Sequence, residues 1–412
     1  MGYSVSDVME FVEENDVKFV KLAFTDIYGN QKNMNIVSSE LRRAFKDGIK
    51  FNVTNIDGFG EHINTDLLLR PDPDTMNILP WRPSQGSVLR FYCDILKLDG
   101  TPYEMDCRYI FKKTLEKCKD HGITFKAGVR SEFYLFKLDE DGEPTNIPID
   151  KATYLDVSPF DKGENVRRDI VITLGEMGIE VEKSFHQTGP GQNEIDFKES
   201  DALTTVDNYT TFKNVVRVIS ARNGMHASFH PKPISEKSGN SLQLVFSVYR
   251  DGNNLYEAER EKMEQFIAGI LNRMPELTAI LNSHETSYER FGKHEAPEFI
   301  AWSTQNLGQL IKMPTEEDSK RRCVLRSPDS FVNPYLAMAA VAEAGIMGMI
   351  NQEELPAPLD ENHISHSELE KSCKHLPKNL TEAVGEAARS EFLKNAFGEV
   401  FMERYLTALK DR

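Results

Sequence analysis

The sequence predicts an α+β protein of two units, a small one over residues 1–103 and a larger one over 104–412. Three observations carry this. The 412 residues are enough for two or three domains and a large buried core. Aromatic and β-branched runs alternate with helix-periodic runs in both units. A tract dense in Pro and Asp, "LLLRPDPDTMNILPWRPSQG", breaks the first unit into turns before a last strand. There is no internal repeat and no low-complexity tract.

Each element follows from its local pattern. "VSDVMEFVEEN" has apolar residues at helical spacing, so residues 5–15 read as an amphipathic helix. "VKFVKLAFTDIYGNQKNMNIV" reads as two strands around a Tyr-Gly-Asn turn. "SSELRRAFKDG" is a helix opened by Ser and closed by Gly. "VLRFYCDILKLDGTPY" is a strand entering an Asp-Gly turn. The larger unit opens with the helix "DCRYIFKKTLEKCKDHG". Strands follow at "ITFKAGVRSEFYLFKL", "NEIDFK" and "SLQLVFSVYR", with Gly128 expected to mark the start of the first. Long helices are predicted at "NVRRDIVITLGEMG", "VDNYTTFKNVVRVISARNG" and "EAEREKMEQFIAGILNRM". "YLAMAAVAEAGIMGMI" is too short to span a bilayer and carries Glu343, so it reads as a buried core helix. Residues 351–378 are polar and irregular, and a final helical stretch runs to Arg412.

Composition narrows the function classes. Net charge is −16 with no Lys/Arg cluster, which excludes the basic footprint that nucleic acid or an anionic membrane requires. The five Cys have neither paired nor metal-type spacing and read as free thiols of a reducing, cytoplasmic setting. One feature stands out in the strand "KAGVRSEFYLF". Arg130 and Glu132 are two residues apart, so both leave the same face of the sheet.

Several long motifs in series resemble the glutamine synthetase family of bacterial and archaeal type. They are "VKFVKLAFTDIYGNQKNMNI", "PDPDTMNILPWRP", "LDGTPYEMDCRYIFKKTLEK", "RRDIVITLGEMGIEVEKSFHQTGPGQNEIDFK", "MHASFHPKPI", "HEAPEFIAWS" and "RSPDSFVNPYLAMAAVAEAG". The resemblance covers residues 5 to 410 in order. It implies an N-terminal β-grasp domain and a large domain whose antiparallel sheet, flanked by helices, cradles a funnel-shaped site. It also implies homo-oligomeric hexameric rings in which a loop of the neighbouring small domain completes each site. Members of this type continue about two dozen residues past the point matching Arg412 as an arm between rings, so a single ring is expected here. The family's reaction forms a γ-glutamyl phosphate from glutamate and ATP, which ammonia then displaces, and it uses Mg²⁺ or Mn²⁺ held by five Glu and one His.

Carried over position by position, the resemblance implies a substituted metal and nucleotide site. Arg130 stands at a ligand Glu, Gln187 at a second, Gln243 at the ligand His and Val324 at a further Glu. Glu132 and Glu194 remain as residual metal ligands. Thr304, Gln305 and Leu307 fall where phosphate-binding arginines are expected, with no basic residue before Lys312. Asn52 and Asn55 fall on the ammonium-pocket loop, at the ends of Asn-Val-Thr-Asn where the family has Asp-Gly-Ser-Ser. The amino-acid side of the site is kept: Glu132, Gly239, Arg290 and Arg326 match substrate-binding positions, and Glu295 and Arg322 match catalytic ones.

Arg130 is accordingly expected to act as an internal counter-ion to Glu132, Glu194 or both. His186 is expected to be a packed or hydrogen-bonded residue. The expected function is that of a homologue unable to make glutamine, a pseudoenzyme that keeps a pocket for a glutamate-like amino acid or carboxylate. Two alternatives stay open. One is a remodelled enzyme, either an ATP-dependent γ-glutamyl–amine ligase or a metal-free catalyst on a glutamate-like substrate. The other is an active glutamate–ammonia ligase, which would need Mg²⁺ or Mn²⁺ and ATP.

Overall fold

The computed structural model describes residues 2–56, 58–59, 66–82, 86–306, 308–360 and 366–410. The first helix, Val5–Glu14, begins at a capping box: the Ser4 hydroxyl accepts from the Asp7 amide at 3.1 Å, and the Asp7 carboxylate accepts from the Ser4 amide at 2.8 Å. Strands Phe19–Thr25 and Gln31–Val37 form the expected hairpin. They join a six-stranded sheet in which Phe19–Thr25 runs parallel to Val88–Leu96, the other pairings being antiparallel. The helix predicted from "SSELRRAFKDG" is Leu41–Asp47, closed by Gly48 at φ 74°, but Ser38–Glu40 form a 3₁₀ turn before it and no Ser side chain caps it.

The larger sheet has eleven strands, antiparallel except where Trp302–Ser303 pairs with Ile311–Lys312. Its axis is the fifteen-residue strand Thr124–Leu138, flanked by Leu242–Arg250 on one side and Gln192–Phe197 on the other. Gly128 lies inside this strand, not at its start. A Cβ there would lie 3.4 Å from the Phe197 carbonyl oxygen, an ordinary van der Waals contact. Helices Ala202–Arg222, Arg260–Leu281 and Pro334–Asn351 bury their apolar residues against the sheet and one another. The last of these is the predicted core helix, buried nearly all round. The C-terminal stretch resolves into helices Leu380–Arg389, Glu391–Phe397 and Glu399–Lys410. Among the described residues no helix is long and apolar enough to cross a membrane. All five cysteines are free thiols, four of them buried.

Buried charge fastens the two sheets together. Arg108, on the helix Cys107–Asp120, donates to Asp72 at 2.9 Å, to Asp94 at 3.1 Å and to both carboxylate oxygens of Asp207, at 2.9 and 3.1 Å. Asp207 also accepts from the Tyr335 hydroxyl at 2.5 Å. Two of the three carboxylate partners belong to the first sheet's unit and one to the helix Ala202–Arg222, so one guanidinium ties that unit to a helix behind the second sheet.

Candidate active site

The concave face of the larger sheet holds a cavity of about 750 Å³. Its floor is set by strand register. In the antiparallel pairing of Gln192–Phe197 with Thr124–Leu138, Glu194 lies opposite Glu132 and Asp196 opposite Arg130. On the other side Gln243 lies opposite Arg130. Two-residue periodicity then points Arg130, Glu132, Glu194, Asp196 and Gln243 into the same space, and all five line the cavity. Gly239, Arg290, Glu295, Gln187, Val324 and Arg326 line it as well, together with Lys312. Asp196 is the residue that sequence reading missed. Its signal was present, since it stands two positions after Glu194 in the same strand.

Glu132 is almost wholly buried. Its carboxylate accepts from the Ser241 amide at 2.7 Å and from the Gln187 side-chain amide at 3.0 Å. The same Gln187 nitrogen donates to Glu194 at 2.8 Å, so one neutral amide bridges the two acids. Its orientation is pinned from behind, because the Gln187 side-chain oxygen accepts from the Thr188 amide at 2.8 Å. Burial pushes Glu194 up to about 9, and the nearby charges of Glu132 and Asp196 add to the shift. Burial likewise raises Glu132 and Asp196. Burial therefore favours the protonated form of Glu194, which stands beside Asp196.

The expected pairing of Arg130 with Glu132 or Glu194 is not what the structure shows. The guanidinium lies 3.7 Å from Asp196 and donates to the Gln243 side-chain oxygen at 3.4 Å. The cause is the register: Glu132 is a neighbour along Arg130's own strand, whereas Asp196 and Gln243 sit directly across from it. The donor set in this corner does not fit a hard divalent ion, which needs a shell of oxygens. It offers a cation, the Val324 alkyl group and an amide oxygen already engaged by that cation. Beside Gln187 two carboxylates remain, but the group between them presents N–H and not oxygen.

On the opposite wall Arg290 is 2% exposed and donates to the Ser327 carbonyl at 3.1 Å, with Asp329 at 3.9 Å. Gly239 packs on its stem, where an added Cβ would lie 2.6 Å from the Arg290 Cγ. Arg326 is largely buried and lies 3.7 Å from Glu295, with one terminal nitrogen unpartnered. Glu295 itself is mostly exposed and follows His294 in a left-handed turn, φ 48° and 64°. The ring of Tyr154 meets Phe185 edge-on at 5.8 Å within the same lining.

The remaining predicted residues are not brought into this cavity. Arg322 is held by Glu182 at 3.1 Å and faces a separate cleft, because Glu182 and Lys320 form an ion-pair cluster outside the cavity wall. Asn52 and Asn55 are exposed on the small domain, away from the cavity of their own chain. Thr304 donates its amide to Asp360 at 2.7 Å. Neither it nor Gln305 lines the cavity. Leu307 lies outside the described residues. His186 is hydrogen-bonded as expected: its two ring nitrogens face the Asp150 carboxylate at 3.2 Å and the Gln187 carbonyl at 2.6 Å. Burial works against its charge, but Asp150 outweighs burial and holds the imidazole above its usual range.

Residues 16–98 match the family described as glutamine synthetase, beta-grasp domain, and residues 104–411 match glutamine synthetase, catalytic domain. The glutamine synthetase of Clostridium saccharobutylicum is 42% identical over 414 residues, covering 98% of this chain and 94% of that one. The glutamine synthetase of Staphylococcus aureus strain MW2 is 38% identical over 417 residues, with 98% and 94% covered. Among solved structures, a GmaS/ADP complex superposes with a TM-score of 0.89 at 25% identity over 99% of this chain and 95% of that one. The cryoEM structure of Plasmodium falciparum glutamine synthetase gives 0.89 at 21% identity over 100% and 96%, which speaks for the fold. Two contiguous domain matches spanning nearly the whole chain, with full-length relatives at this identity, place the protein in the glutamine synthetase family.

Proposed function

We propose that this protein is a glutamine synthetase homologue that does not make glutamine, and that its cavity binds a glutamate-like amino acid or carboxylate without divalent metal. The observation that carries the reading is the Gln187 amide bridging Glu132 and Glu194 at 3.0 and 2.8 Å. By resemblance that space belongs to a cation. Here an N–H donor, a proton on Glu194 and the Arg130 guanidinium beside Asp196 balance the acids. Phosphoryl transfer depends on divalent cations that neutralise charge between the phosphates, and this donor set offers them little. Glu132, Gly239, Arg290 and Arg326 converge on the other side and would hold the ammonium and carboxylate groups of an amino acid. The reading includes ring assembly of 1–103 against a neighbour's 104–412, which would carry Asn52 and Asn55 to an adjoining cavity.

The test is phosphate release from ATP with glutamate, ammonium and Mg²⁺ or Mn²⁺. The expected rate equals the no-enzyme control, and a chelator-sensitive rate well above it would overturn the reading. Calorimetric titration of glutamate in chelator is expected to show binding. A second reading, an active ATP-dependent ligase, is favoured by the 42% identity to a protein named glutamine synthetase. The same assay decides between the two, with methylamine or a polyamine in place of ammonium as a further arm.

A further inference from the structure

We infer that a second, smaller pocket, at the joint between the N-terminal sheet and the helix Ala202–Arg222, binds a small multiply charged oxyanion of the phosphate type. This does not rest on the function proposed for the central cavity. The pocket has a volume of about 150 Å³, room for roughly five waters or one such ion. Lys21 and Arg90 reach it from the sheet, and Lys213 and Arg217 from the helix. None of the described lining residues is acidic.

Charge of one sign gathered in a concave, partly desolvated place costs free energy unless something of the opposite sign enters it. The chain is strongly acidic overall, so this local surplus runs against its own composition. Arg90 shows the imbalance best. It is 5% exposed, yet no carboxylate among the described residues pairs with it. Its cationic carbon lies 4.1 Å over the Tyr92 ring, and one terminal nitrogen donates to the Thr211 hydroxyl at 3.0 Å. That hydroxyl is already engaged by the Asp207 carbonyl and the Tyr92 hydroxyl, so it absorbs one donor of the five that a guanidinium carries. At the rim Lys21 donates to the Asn33 side-chain oxygen at 3.3 Å, and no carboxylate among the described residues pairs with it. A tetrahedral or planar oxyanion offers several acceptors to the Arg90 guanidinium and the Lys21 ammonium at once. Held there, it would tie the first sheet to the helix by charge.

The experiment uses the full chain and inorganic phosphate, titrated at constant ionic strength against chloride, with the melting temperature as readout. Phosphate also stabilises proteins by exclusion from their surface, but that effect does not saturate. The expected result is a saturable rise of about 2–4 °C in the wild type, lost in Lys21→Met and Arg217→Gln and retained in Arg326→Gln. Equilibrium dialysis with radiolabelled phosphate gives the same answer independently of folding stability, with one ion bound per chain. No saturable rise and no bound phosphate would overturn the proposal. So would binding that survives in both rim variants, or that is abolished by Arg326→Gln, which would place the ion in the central cavity.

Discussion

The two walls of the central cavity solve the same problem in different ways. On one wall Arg290 is buried, fixed to the Ser327 carbonyl and packed on Gly239, and its charge faces Glu132. On the other wall burial favours a protonated Glu194, Asp196 lies 3.7 Å from Arg130, and Arg130 makes a long hydrogen bond to Gln243. The first arrangement is rigid and leaves little room to rearrange. The second is built from exchangeable parts, and its charge depends on pH. Under the function proposed above, the fixed wall would hold the ligand while protons and amides balance the acids opposite.

Arg290→Ala removes a buried cation from beside Asp329 and Glu132, and unfolding by denaturant is expected to show a loss of about 3–5 kcal/mol. A loss below about 1 kcal/mol would mean that the two carboxylates are satisfied without it. The opposite wall is probed by Gln187→Glu, which replaces the bridging amide with a third acid. A loss of about 2–3 kcal/mol is expected in chelator, largely recovered with Mn²⁺, because three carboxylates recreate an oxygen shell. No Mn²⁺ dependence of the melting temperature would show that the space cannot admit a cation.

Glu194→Gln tests the proton. Because the folded-state value of Glu194 is raised, to about 9, its contribution is fully present below its unfolded value of 4.5 and lost as pH rises through 9. The glutamine variant should match the wild type near pH 4, exceed it increasingly toward pH 9 and flatten the profile between. A wild-type profile already flat over that window would show that Glu194 is ionised in the folded protein. The smallest effect is expected from Arg130→Ala. Its side chain is 31% exposed and its partners are distant, so a loss of about 0.5–1.5 kcal/mol is expected. A loss above 3 kcal/mol would revive direct pairing with Glu132 or Glu194.

Much of this was legible in the chain. Helix Val5–Glu14, the strand Thr124–Leu138 and the buried helix Pro334–Asn351 follow from periodicity, and motif order carries the rest of the fold. Arg130 and Glu132 do share a face, as two-residue spacing requires. What was not legible depends on register and on distant ion pairs. The partner of Arg130 is decided by which residue of another strand lies opposite, and no local pattern encodes that. Arg322 fits a motif, but Glu182, 140 positions away, draws it out of the cavity. Asn52 and Asn55 lie on a surface that a single chain leaves exposed.

The Arg108 junction bears on how any of these effects is transmitted. A guanidinium shared by Asp72, Asp94 and Asp207 cannot be satisfied by either domain alone. Opening the joint would strand buried charges on both faces, so partial unfolding of one domain carries the cost of the other. The chain should therefore melt as one cooperative unit, and a perturbation in the cavity should be read as faithfully in the hydrogen exchange of the N-terminal sheet as in the strands beside it.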